Sequence, residues 1–264
     1  MIYSQSQSHG FVWENEIVKK VFNLEERKND TYIYDIPAEK NSRNNNENVG
    51  IKVVGMNYIC CGSIQNFINY DFNKKNTLII IQYKQKGNLK KIYRIFEIDY
   101  NQECQKELFG SATLEDIIDY ENKVKSIKHN ISSTEAIKIF NYKEEKRKLQ
   151  KNKNMKIIIN PKIDRHSQRR VQCTIPNFET TLEKYITYKS PIDEPNIYKG
   201  IEITPELLSP PRKRGGASLE DLKKICKDNN IKKYSAKKKS EVMELLQQNI
   251  DTEKLNKLLS NLNI

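Results

Sequence analysis

The chain predicts an α/β protein: a mixed sheet flanked by helices, followed by a small all-α unit of two helices joined by an extended turn. Three observations predict it. Asn76 to Lys86, NTLIIIQYKQK, is a short isoleucine-rich run, the pattern of a buried strand rather than a helix. Gly10 to Leu24 carries apolar residues at helical spacing, at Val12, Trp13, Ile17, Val18, Val21 and Phe22. Beyond a proline-rich segment, Leu219, Leu222, Ile225 and Cys226 form one helical stripe, and Val242, Leu245 and Leu246 another.

Between the first helix and the isoleucine run lie further strand candidates. Thr31 to Pro37 reads as extended, and the asparagine-rich EKNSRNNNENVG reads as a surface loop. Asn48 to Gly55 and Tyr58 to Phe67 follow as strands, with the turn Asp71 to Asn76 expected to join the latter to Thr77–Gln85 as an antiparallel pair. Lys91 to Asp99 makes a fourth strand, with Ile92, Arg94, Phe96 and Ile98 on one face and Tyr93, Ile95 and Glu97 on the other. Ser111 to Lys128 then reads as a helix with Ser111 or Thr113 as its N-cap. Ser132 and Glu135 have capping-box spacing and open a second helix towards Leu149. Met155–Ile159 and Arg169–Ile175 are two more strands, and Phe178 to Tyr188 is a short closing helix. The boundaries expected are a body over residues 1 to 189, a proline-rich basic linker over 190 to 216, and the helical unit over 217 to 264.

The 264 residues are enough for a sizeable core, although 37% hydrophobic content and a mean hydropathy of -0.78 leave room for exposed segments. No apolar run has the length of a membrane span, and the first residues lack a signal-peptide pattern. The five cysteines include no CxxC pair, and His9, His129 and His166 stand far apart. The expectation is an intracellular protein, cytoplasmic or nuclear, with reduced thiols and no membrane partner.

Charge placement points to a polyanion. Residues 151 to 170 hold seven bases against one acid, and Arg212 to the end holds thirteen against seven, so two regions carry the whole net charge of +12. Localised basic regions on a neutral body fit nucleic acid. Lys162, Arg165, Arg169 and Arg170 surround the later strand pair, where alternation groups Arg169 with Val171 and Cys173, and Arg170 with Gln172. Arg170 and Gln172 suit phosphates or base edges.

The C-terminal pattern, LxxLKxxC at Leu219 to Cys226 followed by Ile231, Tyr234-Ser235 and Lys239-Ser240-Glu241-Val242, resembles the SAP domain. That resemblance implies DNA binding, with Lys232, Lys233, Lys237, Lys238 and Lys239 at the phosphates. Ala236 departs from it where a glycine often follows the serine.

The body is similar to the restriction-endonuclease-like (PD-(D/E)xK) superfamily, in its Mrr-like branch. Trp13-Glu14 resembles the aromatic–acid pair of the first helix, and Gln82-Tyr83-Lys84 the Gln-x-Lys that ends a core strand. Gly62 is followed by Ser63 where the pattern has aspartate. The resemblance implies a Mg2+-dependent (or Mn2+-dependent) endonuclease acting on double-stranded DNA, with Lys84 as the catalytic cation and Glu14, Ser63 and Gln82 around the metal. A serine is a weak substitute for a bridging carboxylate, so three accounts stand open: a decayed site, an introduced substitution, or an acid supplied from elsewhere. Asp71 and Glu47 are the candidates for that acid. The competing class is a catalytically inactive DNA-binding or scaffold protein. Two-strand cleavage would favour a homodimer.

Overall fold

The computed structural model describes residues 8–25, 34–55, 57–163, 169–208 and 219–258, the last stretch without 233, 236, 252, 256 and 257. The chain divides into two compact units, Met1–Ser209 and Pro210–Ile264. The first is an α/β body whose mixed sheet is flanked by helices.

Helix α1 (Ser8–Glu16) continues through a π-helical turn at Ile17–Val21. The wider turn keeps Trp13, Ile17, Val18, Val21 and Phe22 all buried, whereas Val12 is exposed. Strand β1 (Glu47–Val54) follows, and β2 (Tyr58–Ser63) leads into the short helix α2 (Ile64–Ile68). Ser63 is the N-cap of α2, its hydroxyl accepting from Asn66 N at 3.4 Å. Strands β3 (Lys75–Lys86) and β4 (Leu89–Asp99) form the expected hairpin further on.

The antiparallel pairing of Tyr58–Phe67 with the isoleucine run does not occur. The chain turns into α2 at Ser63, and β3 instead pairs in parallel with β1, placing Gln82 beside Val54 and not near Phe67. The main sheet has the order β1-β3-β4-β10, with β7 also on β4. Strand β3 is buried on both faces. Leu78 and Ile80 belong to one core with the helices that follow, while Ile79 and Ile81 belong to another with Trp13, Ile17 and Val18.

A bulge also revises β4. Gln82 pairs with Arg94 but Tyr83 pairs with Ile92, so Tyr93 is the extra residue and the strand changes face there. Ile92 therefore joins Ile95 in the core with Trp13, while Phe96 and Ile98 face the opposite core.

Four helices come next: α3 (Gln102–Phe109), absent from the sequence expectation, α4 (Leu114–Lys125), α5 (Ser133–Ile139) and α6 (Tyr142–Asn152). Thr113 with Asp116, and Ser132 with Glu135, close capping boxes on α4 and α5. The long helix expected towards Leu149 is broken at Phe140, which is extended, and Asn141 caps α6 anew.

Strands β5 (Ile158–Lys162) and β6 (Arg170–Pro176) join β2 in a second sheet of order β2-β6-β5. Helix α7 (Phe178–Thr181) leads to β7 (Ile186–Lys189) on β4. The segment expected to be a linker is mostly part of the body. It forms β8 (Ile197–Tyr198), β9 (Ile201–Glu202) and β10 (Glu206–Leu208), and Tyr198 and Ile203 are fully buried. Trp13 Nε1 donates to the Thr204 carbonyl at 2.7 Å, which ties α1 to this returning segment.

In the second unit, α8 (Leu219–Asp228) and α9 (Lys239–Asn249) close on a small core of Leu222, Ile225, Cys226, Val242 and Leu246. Among the described residues no helix is long and apolar enough to cross a membrane.

Candidate active site

The structure separates the four side chains grouped from the sequence. Ser63 closes β2 in the second sheet, opposite Gln172, where capping α2 occupies its hydroxyl. Gln82 is only 5% exposed, its Nε2 donating to Asn57 Oδ1 at 2.9 Å and Glu179 Oε1 at 3.4 Å. Lys84 is exposed and lies 3.5 Å from the centre of the Tyr93 ring. A single centre built on Gln82, Lys84 and Ser63 is thus corrected, because the shift of Tyr58–Ser63 out of the main sheet removes the strand that would have joined them.

Neither of the other acids proposed as ligands completes that centre. Asp71 sits in its turn, exposed, its carboxylate accepting from Asn73 N at 2.9 Å. Glu47 begins β1, seven residues before the Val54 that pairs with Gln82, and is committed elsewhere. It accepts from Thr77 Oγ1 at 2.5 Å and pairs with Lys75 at 2.9 Å. Burial works to raise the Glu47 pKa, but Thr77 and Lys75 hold it below the ordinary value.

Glu14 instead acts electrostatically on a polar centre with different companions. Ile36 bridges Val49 in antiparallel fashion, which brings Asp35 to the edge of β1. Asp35 Oδ2 accepts from Ile51 N at 2.6 Å and from Lys52 Nζ at 3.1 Å. The carboxyl side chain is 9% exposed and the lysine side chain 27%, so the pair is largely withdrawn from water. Burial alone would lower the Lys52 pKa, yet Asp35 and then Glu14 act on the ammonium strongly enough to hold it above the ordinary lysine value.

Aromatic side chains wall this centre. Tyr34 packs edge-on against Tyr70 with ring centres 4.8 Å apart, and Tyr70 in turn meets Phe67 and Tyr100. Gly50 stands two residues before Lys52 on the same strand face. A Cβ there would lie 3.0 Å from Leu78 Cδ2, 3.6 Å from the Tyr70 hydroxyl and 3.8 Å from Asp35 Oδ2. The missing side chain at Gly50 makes room chiefly for Leu78, the Tyr70 hydroxyl and Asp35 lying at ordinary contact distance from that position.

Sequence reading missed Asp35 and Lys52. The available signal was Tyr-Asp-Ile-Pro in an extended stretch, followed across the asparagine-rich loop by Gly-Ile-Lys in a strand. Among the described residues no three His, Cys, Asp or Glu side chains form a metal-holding group.

The basic residues divide similarly. Arg170 is exposed, and Lys162 and Gln172 are half-buried on the outward face of the second sheet, as alternation indicated. Arg169 is 1% exposed and is corrected from a DNA contact to an internal clamp, its guanidinium donating to the carbonyls of Ile127 and Lys128 just beyond α4. Arg165 and Lys233 lie outside the described residues. Lys232 and Lys238 are exposed and Lys237 is half-buried; Lys239 opens α9, its side chain not described.

The chain matches no known protein family, curated protein or solved structure.

Proposed function

We propose that the body is a metal-dependent nuclease that hydrolyses phosphodiester bonds in DNA at a centre formed by Glu14, Asp35 and Lys52, and that the C-terminal helical unit is a SAP-like DNA-holding module. The observation that carries this reading is the Lys52–Asp35 pair at 3.1 Å, largely buried, with Glu14 acting on the same ammonium. An acid beside the edge of a mixed sheet, bonded to a strand lysine on whose ammonium a helix acid also acts, suits phosphoryl chemistry better than stability. A buried ion pair contributes little net stability once its desolvation is counted.

The donor set fits Mg2+, which binds through one or two carboxylates and completes its shell with water and substrate phosphate. Asp35 would hold it, with Glu14 adding negative charge to the centre. When bound, such an ion polarises the phosphate and makes a bound water more acidic. Lys52, kept protonated by the two acids, places positive charge where a phosphate oxygen gains negative charge, and it is too basic to serve as the proton acceptor. Ile51 N and Lys52 together fix Asp35 Oδ2, so the carboxylate is oriented before any substrate arrives.

Supercoiled DNA incubated with Mg2+ or Mn2+ tests this reading. Asp35→Asn, isosteric and checked by thermal melting, and Lys52→Ala are each expected to lower the cleavage rate at least about 100-fold. Lys84→Ala and Gln82→Ala should keep most of it. The reverse ranking would reject the assignment.

A second reading, a DNA-binding protein without catalysis, is favoured by Gly50. The superfamily's acid-x-lysine element has a carboxylate at that place, and here Gly-Ile-Lys has none. Intact DNA with the wild-type chain in both metals, together with retained binding, would establish it.

A further inference from the structure

We propose that the outward face of the β2-β6-β5 sheet is a nucleic-acid platform that ends in a pocket for one unstacked nucleobase, seated against Tyr58. The inference rests on the DNA-binding part of the reading above, and adds that the strand is presented with a base out of its stack.

The face is built by cross-strand register. Tyr58 lies opposite Pro176, Thr174 is flanked by Cys60 and Ile158, Gln172 by Ser63 and Asn160, and Arg170 by Lys162. Residues 171, 173 and 175 of β6 face the core, so 170, 172, 174 and 176 share the other side. One end of the face is therefore cationic, its middle carries amide and hydroxyl groups, and its far end is aromatic. The span from Arg170 to Pro176 is roughly 20 Å, enough for several nucleotides of extended strand.

At the aromatic end the surface sinks into a groove of about 470 Å³. Tyr58, Ile158 and Pro176 make the lining mainly apolar, and of the asparagines at its edge Asn160 already donates from Nδ2 to Thr174 Oγ1 at 2.6 Å, leaving Asn57 and Asn177 for a ligand. Tyr58 is 47% exposed, at the start of the edge strand β2, and so open to a ligand. Flat apolar walls beside carboxamides match a nucleobase, which offers a π-face for stacking and an edge of donors and acceptors for Asn. The cationic end of the same face, Arg170 beside Lys162, favours a nucleic-acid strand over a neutral lipid tail or an aliphatic peptide.

A second feature lies directly behind the groove. Asn57 Oδ1 accepts from Gln82 Nε2, so the group of Asn57 left for a ligand is its NH2 donor. Gln82 Oε1 and Arg94 Nε, on paired residues of β3 and β4, are both buried without a hydrogen-bond partner. Unmet polar groups at this depth are costly in a finished core and are expected beside a site that takes a polar ligand. Gln82 is also near the cleavage centre. It pairs with Val54, two residues along β1 from Lys52 on the same face, a step of roughly 7 Å.

The test measures binding in EDTA, so that cleavage plays no part. The probes are three oligonucleotides: a fully paired duplex, the same duplex with one extrahelical 2-aminopurine, and a single strand containing it. Wild type should quench 2-aminopurine fluorescence in the bulged duplex, the single strand or both, and the two arms tell a flipped base from a strand already unpaired. Tyr58→Ala should weaken binding of the quenched probe about tenfold, the loss of one base–aromatic stack, and Tyr58→Phe should retain it. Binding of the paired duplex should be unchanged by either. Equal affinity of Tyr58→Ala and wild type for every probe overturns the pocket, as does an equal loss on all three. If cleavage by wild type persists with Tyr58 irrelevant, only the pocket falls. Tyr58-dependent binding without cleavage in metal leaves the pocket and removes the nuclease.

Discussion

Arg169 Nη2 donates to the carbonyl oxygen of Lys128 at 2.8 Å, while its Nε donates to that of Ile127 at 3.3 Å. One side chain thus satisfies two carbonyls just past the end of α4, from a backbone position with φ of 49°. Arg169→Ala should destabilise the body by about 2 kcal/mol or more, since it leaves buried acceptors unpaired. Urea denaturation measures the loss. DNA affinity of the folded variant should match wild type, whereas Arg170→Ala should weaken binding and flatten its salt dependence without affecting stability.

One contribution to acid sensitivity should come from Glu107. Lys156 and Lys184 bond its carboxylate, with Tyr185 adding a third bond, and they lower its pKa from 4.5 to about 2. A depressed folded pKa means stability fully present above the unfolded value and lost as pH falls through the folded one. The stabilisation from Glu107 is therefore expected intact above about pH 4.5 and lost progressively towards pH 2. Thermal melting across that range should show a smaller pH dependence for Glu107→Gln than for wild type.

Truncation provides a domain-level check. A chain ending at residue 189 should fail to give a cooperatively folded body, because it removes Tyr198, Ile203 and the Thr204 carbonyl that holds Trp13. A chain ending at residue 209 should melt cooperatively. Equal melting of the two would show the returning segment to be dispensable.

The sequence made some of this legible through local chemistry. β3 was readable because only a strand buried on both faces needs Leu-Ile-Ile-Ile, and the capping boxes at Thr113 and Ser132 act within four residues. What escaped was non-local. Nothing near Ser63 says that its strand will pair with β6, over a hundred residues later, and the serine that looked like a lost aspartate is a helix cap. Asp35 and Lys52 are separated by an asparagine-rich loop, and their meeting depends on a single bridge between Ile36 and Val49. The bulge at Tyr93 reversed the faces of β4 with no glycine or proline to announce it. Of the residues first grouped as a site, Glu14 acts electrostatically on Lys52, since an acid beside the apolar stripe of an end helix is positioned by that stripe.

The bond from Trp13 to Thr204 spans 191 residues. During synthesis the first helix emerges early, yet the backbone oxygen that receives its indole is added only after more than three quarters of the chain has been made. Until then Trp13 and the apolar flank of α1 have no final cover, and closing so long a loop is a slow step. The body of this protein should consequently complete its folding late. Its interval of greatest exposure to proteases and to self-association falls while residues 14 to 204 are being translated.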